Sequence, residues 1–295
     1  MNRSDIFKVL SEYKKDLESK GYHVIYIGLY GSQNYNVDDE KSDIDARAII
    51  LPSLHDIIFR KVTSKKYTYD TGEVDVKDIV TYYDVIKKGN FSFIEPIDTD
   101  YCIGDKYIKE LFKRVRPNPK SMLGAMYEKR KALTHEYPSK KEEFEKWGCD
   151  PKQYHHIIRL YDLIATNIAA GTTLSYLVYE DNKQDERGYM IRVKRNSNNL
   201  SVKEMEEHSD DLIAEIKKLV DKLPPYEPIN LDEEINAYIE KEVKKELFKT
   251  PITAAREVRT FGRDIPKQDL VKFPELQNYK DKDISYIIYE SLEIL

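Results

Sequence analysis

The sequence predicts an α/β (α+β) chain: a mixed-sheet core over residues 1–116, a mainly helical domain over 120–250, and an extension over 251–295 whose fold stays open. Three observations predict this. Short apolar or alternating segments at Val24–Leu29, Ile44–Leu51 and Glu73–Val76 have strand length and strand periodicity. Pro117-Asn118-Pro119 breaks the pattern. Beyond that break the apolar residues recur at helical spacing.

Taken in order, Ser4 to Lys20 is an amphipathic helix, with Ile6, Leu10, Tyr13 and Leu17 on one face and Gly21 at its end. The first strand follows, and Pro52 stops the second. Residues 53–71 read as irregular, apart from a short helix near Leu54–Phe59. After the third strand a helix runs from Ile79 to Lys88 and ends at Gly89-Asn90. Phe91–Ile97 is a further short apolar segment. In the second half, Ser121–Leu133 is helical, and Pro151–Ala170 has Pro near its start and Gly171 past its end. Ser201 and Glu204 form a capping box that opens a helix to about Leu223. Another helix spans about 230–248.

Composition narrows the classes. A chain of 295 residues with 34% charged and 40% apolar residues can bury a sizeable core. The formal charge of −5 argues against a globally basic nucleic-acid binder, while 48 Lys and Arg leave room for a local basic groove. Most of the 23 tyrosines are read as amphipathic packing residues. Two cysteines, Cys102 and Cys149, have neither disulfide-framework nor metal-ligand spacing and read as free thiols. No signal segment or membrane-length apolar run is visible, so the expectation is a cytoplasmic protein with no membrane partner.

The chemistry concentrates between residues 30 and 75. Gly31-Ser32 follows a strand, and glycine there lets the backbone approach a ligand closely. Ser32 and the N–H groups after it suit phosphate oxygens. Asp43 and Asp45 lie two apart at the start of the next strand, so their carboxylates share a face. Such a pair repels unless a cation lies between, and Mg²⁺ takes one or two carboxylates plus phosphate oxygens. A third acid sits on the strand after that. Asp75 is the choice, with Glu73 on the same face as the alternative; a solvated edge-strand face is the plain reading of both. Arg47 shares the face of Asp43 and Asp45, either as their salt-bridge partner or as a phosphate contact. Lys152, His156 and Arg159 fall at i, i+4 and i+7 of one helix and are expected to meet phosphate or RNA; His155 beside them reads as structural. Arg192, Lys194 and Arg195 form a basic patch that suits either a nucleic-acid backbone or, the preferred reading, a soluble loop before the capped helix.

These residues resemble the DNA polymerase β-like nucleotidyltransferase superfamily, whose pattern is hydrophobic-Gly-[Gly/Ser], a spacer, Asp-hydrophobic-[Asp/Glu], then a later acid. Gly31, Ser32, Asp43, Asp45 and Asp75 fill those positions. The run Ser42-Asp43-Ile44-Asp45-Ala46-Arg47, the stretch Lys87–Glu95 and the segment Lys152 to Leu160 are similar to the branch of predicted nucleotidyltransferases associated with RNA repair. The resemblance covers about residues 20–200 and implies the nucleotidyltransferase fold for the core. It also implies Mg²⁺ (or Mn²⁺) at Asp43, Asp45 and Asp75, and an NTP such as ATP at Gly31, Ser32, Arg47, Lys152, His156 and Arg159. The implied reaction joins NMP to a hydroxyl with release of pyrophosphate. An RNA 3′ end, with tRNA as one example, is the favoured acceptor; a protein hydroxyl and a non-catalytic nucleotide-sensing or RNA-binding module are the alternatives. Arg130 and His135 also have the Arg-x4-His spacing of a family of helical RNases, a spacing common by chance.

Overall fold

The structure, a computed structural model, describes residues 3–40, 42–170, 178–179 and 185–245. The expected extension over 251–295 lies outside them. The chain divides into two compact units, Met1–Leu231 and Asp232–Leu295. The sheet and the helices up to Val220 therefore share one unit. Of the other, residues 232–245 are helical.

The first unit begins with α1 (Arg3–Ser19), β1 (His23–Tyr30), β2 (Asp45–Leu51) and the short α2 (Leu54–Ile58). A hairpin of β3 (Ser64–Tyr69) and β4 (Gly72–Asp78) follows, then α3 (Ile79–Ile86), α4 (Phe91–Asp98), β5 (Cys102–Gly104) and α5 (Lys106–Phe112). The five strands form one mixed sheet in the order β3-β4-β2-β1-β5. Only β2 and β4 run parallel; the other pairs are antiparallel. The mixed α/β class expected from the sequence is therefore present.

Strand β2 is central, and its alternation sets the two faces of the sheet. Ile44, Ala46, Ala48 and Ile50 join Val74 and Val76 beneath α1, whose Ile6, Leu10, Tyr13 and Leu17 are at most 3% exposed. The alternate residues Asp43, Asp45 and Arg47 point to the opposite side, which α3 and α4 partly cover. Contact there is close: a Cβ added at Gly28 on β1 would clash with the Pro96 carbonyl of α4.

Strand β3 departs from the irregular segment expected over 53–71. Its Ser-Lys-Lys-Tyr-Thr-Tyr sequence carries little apolar alternation because it is an edge strand, where lysines suit the open side. The apolar segment at 91–97 is helical, with Pro96 inside its last turn.

The second half supplies α6 (Pro119–Leu133), α7 (Lys141–Trp147), α8 (Pro151–Ala170), α9 (Glu186–Lys194) and α10 (Val202–Val220). Asn118 caps α6, with Pro119 at its first position. The Ser201–Glu204 capping box opens α10 as expected. Helices α6, α8 and α10 pack against one another, and α9 lies on α8. The patch of Arg192, Lys194 and Arg195, read from sequence as a loop, is the end of α9 and its C-cap. No helix among the described residues is long and apolar enough to cross a membrane.

Candidate functional site

The open side of the sheet and the helical half enclose a cavity of about 420 Å³. Gly31, Ser32, Asp43, Asp45 and Glu73 line it from the strand ends, and Ser92 and Glu95 from α4. Lys129 of α6, Lys152, His155, His156 and Arg159 of α8, and Lys194 of α9 line the helical side. An acidic wall thus faces a cationic one.

The acidic wall follows from strand register. Tyr30 of β1 pairs with Asp45 of β2, so the loop starting at Gly31 leaves the sheet beside Asp45. Gly31 has φ 91°, a conformation that favours glycine, and a Cβ there would sit 4.0 Å from Asp45 Oδ2. Ser32 opens a short 3-10 helix over Ser32–Tyr35. The Glu73 N–H donates to Asp45 Oδ1 at 3.3 Å, which fixes Glu73 beside it. Burial pushes the Asp45 carboxyl above the usual carboxylate range, and the charges of Glu73 and Asp43 push the same way. Glu73 holds Lys66 at 2.5 Å. Among the described residues neither Asp43 nor Asp45 has a salt-bridge partner.

The sequence expectation placed Asp75 and Arg47 at this site, and neither lines the cavity. They pair directly across β2 and β4, and Arg47 Nε donates to Asp75 Oδ2 at 3.1 Å. Lys77 lies 3.7 Å from Asp75 Oδ1. The Arg47 guanidinium also donates to the Ser92 carbonyl and stacks between the rings of Tyr30 and Phe93, at 4.7 and 4.0 Å. Arg47 therefore braces α4 against the sheet. Glu73, the sequence alternative, is the acid at the cavity.

The cationic wall contains Lys152, His156 and Arg159 as expected from their spacing, and adds three residues the sequence reading left elsewhere. His155, read as structural, is 1% exposed and lines the cavity; neither ring nitrogen has a hydrogen-bond partner among the described residues. Lys129 and Lys194 come from α6 and α9, and no spacing along one segment could have joined them. Burial lowers both ammonium groups, Arg159 adding to it at Lys129 while Asp39 opposes it at Lys194. Lys194 reaches Asp39 at 3.7 Å and donates to Ser42 Oγ at 2.9 Å. Arg159 is 6% exposed and stacks 4.3 Å from the Tyr35 ring, with Nε unpartnered among the described residues.

Glu95, the last residue of the Lys87–Glu95 stretch, also lines the cavity. It is 2% exposed and accepts the Gly31 N–H at 2.5 Å, pinning the glycine turn from below. Burial raises its carboxyl, against the opposing charge of Arg159 and the Gly31 bond. Its sequence signal was an acid inside the apolar run Phe91–Ile97, a placement that demands a partner. Arg130 and His135 do not meet here. Arg130 ties α6 to Glu206 and Asp210 of α10 at 2.9 and 2.8 Å, and His135 packs on the Tyr137 ring.

The donor set fits a hard divalent cation. Among the described residues no three His, Cys, Asp or Glu side chains form a ready metal cluster. Mg²⁺, however, is held by one or two carboxylates plus substrate phosphates rather than by an all-protein cage. Asp43 and Asp45 supply that pair, and their mutual repulsion is what a cation relieves.

The two histidines make a pH prediction. Burial, then the charge of Arg159, lowers both imidazoles well below their ordinary value; at His155 Lys194 and Lys152 add to this. Between its folded value and the ordinary one of ~6.5, the unfolded chain binds the proton and the folded chain does not. The stability from the neutral form is therefore full above that ordinary value and lost as pH falls below it. The apo thermal midpoint of His155→Gln is expected to fall less steeply than that of the parent between pH 7 and 5. Parallel curves would show that His155 titrates freely in the fold.

Comparison with protein-family models and with curated proteins finds no match to the chain.

Proposed function

We propose that this chain is a metal-dependent nucleotidyltransferase. It moves NMP from an NTP to a hydroxyl acceptor, an RNA 3′ end by preference, and releases pyrophosphate. One observation carries the reading: an acidic wall of Asp43, Asp45 and Glu73 faces a wall of six cationic or imidazole side chains across a single cavity. A triphosphate with its cation has that charge pattern. The resemblance of the Gly31-Ser32 and Asp43-x-Asp45 segments to the DNA polymerase β-like superfamily supports the same reading and the corresponding core fold.

In this reading Asp43 and Asp45 hold Mg²⁺ or Mn²⁺, which when bound neutralises the phosphates and polarises the reacting oxygens. Ser32 and the backbone beyond Gly31 bind phosphate oxygens, and Glu95 keeps that turn in place. Lys152, Lys194 and Arg159 neutralise the outer phosphates. Buried His155 and His156 stay neutral and donate ring N–H groups. The acceptor oxygen attacks the α-phosphorus, the bond to the β-phosphate oxygen breaks, and pyrophosphate leaves. Glu73 takes the acceptor proton. Positioning and charge neutralisation supply most of the rate.

Equilibrium dialysis of labelled NTP with and without Mg²⁺ tests the binding half of this account. Retention that requires Mg²⁺ and weakens about tenfold or more in Lys152→Ala/Arg159→Ala is expected. Metal-independent retention unaffected by those changes would count against it.

A further inference from the structure

A second cavity, of about 530 Å³, adjoins the first and shares Asp39, Lys152 and Lys194 with it. The chain has one tryptophan, and this cavity contains it: Trp147, the last residue of α7, half-buried in its lining. The Lys146 ammonium lies 4.4 Å from the Trp147 ring centroid. An indole ring with a cation over it is a surface on which a nucleobase stacks, and a displaced ammonium is free to meet a phosphate.

Two of the five acids around this cavity, Asp39 and Glu143, are ion-paired. Lys140 pairs with Glu143 at 2.9 Å, and Arg195 and Lys194 hold Asp39 at 3.1 and 3.7 Å. Asp150 is turned to the start of α8, where it accepts from Lys152 N and Gln153 Nε2. Glu40 and Glu142 are exposed to solvent. The Lys152 side chain is itself exposed and lines both cavities, so it stands where the two ligands would meet.

We propose that the second cavity receives the acceptor as an unpaired nucleic-acid 3′ end, with a base stacked on Trp147 and its backbone phosphate at Lys146, beside the shared Lys152. This rests on the transferase reading of the first cavity and adds the acceptor's path to it. A strand lying there presents its terminal hydroxyl toward the cavity that holds Asp45. Atoms balance as before: the 3′ oxygen bonds the α-phosphorus and pyrophosphate departs.

Because Trp147 is the single tryptophan, its fluorescence reports this cavity alone. The experiment titrates the full chain with a tetra-adenylate bearing a free 3′ hydroxyl, at low and moderate salt. Labelled ATP with Mg²⁺ is followed in parallel by equilibrium dialysis. Saturable quenching of Trp147 that weakens as salt rises is expected. Trp147→Ala is expected to bind labelled tetra-adenylate roughly tenfold or more weakly while retaining ATP, and Trp147→Phe to keep most of the affinity. No quenching at millimolar oligonucleotide, or unchanged binding by Trp147→Ala, overturns the proposal. So does quenching by a tyrosine- or serine-containing peptide but not by the oligonucleotide, which would mark a protein acceptor. If the oligonucleotide quenches Trp147 but ATP is not retained with Mg²⁺, the transferase reading fails, and the acceptor role fails with it.

Discussion

Asp45→Asn is expected to lower nucleotide transfer about a thousandfold or more while leaving the apo protein as stable as the parent, or slightly more so. The two effects have one cause. Burial and the neighbouring Glu73 and Asp43 raise the Asp45 carboxyl above its ordinary value. A raised carboxyl favours the fold when protonated, and that contribution is lost as pH rises through the folded value. At neutral pH the ionised group is therefore a cost, which the neutral amide removes. A bound divalent cation reverses the sign, since the ionised carboxylate then becomes a ligand. Mg²⁺ with NTP is accordingly expected to raise the thermal midpoint of the parent and not that of Asp45→Asn. A variant that loses activity because it melts early, with no change in its response to Mg²⁺, would place Asp45 in the scaffold instead.

The second large effect separates Glu73 from Asp75. Glu73→Gln is expected to reduce turnover by orders of magnitude with the fold intact, because its carboxylate lines the cavity and, among the described residues, its one ion pair is to the exposed Lys66. Asp75→Ala is expected to act on stability. It strips Arg47 of its carboxylate partner, where the Arg47 side chain is 13% exposed, at about 1–3 kcal/mol. Its turnover, measured on the folded fraction, is expected to stay within about tenfold of the parent. Chemical denaturation and steady-state rates on both variants check the pair. A folded Asp75→Ala with abolished turnover, beside an active Glu73→Gln, would return the third carboxylate to Asp75.

That choice shows where sequence reading stops. Period-2 alternation placed Glu73, Asp75 and Lys77 on one strand face, and they are on one face. Alternation does not say how far along that face the site lies. The parallel register of β2 on β4 decides it, setting Arg47 opposite Asp75 and leaving Glu73 level with Asp45 at the strand ends. The glycine turn and the paired aspartates were legible because each is a local signal within 15 residues. Strand β3 was hidden because an exposed edge strand has no apolar stripe. The cationic wall was half legible. Lys152, His156 and Arg159 share one helix, so their spacing revealed them, whereas Lys129 and Lys194 arrive from other helices through packing alone. His155 was misplaced because the cavity reaches around α8 to a second row of its side chains.

The most direct test of the central claim follows the fate of both ends of one nucleotide. The protein is incubated with total RNA, Mg²⁺ and an NTP labelled at either the α- or the γ-phosphate. The α-label is expected to become joined to RNA and the γ-label to leave as pyrophosphate in equal amount, with both lost in Asp45→Asn. Transfer of the γ-label to any macromolecule, or retention of the intact triphosphate with no covalent product from any NTP, would contradict that claim.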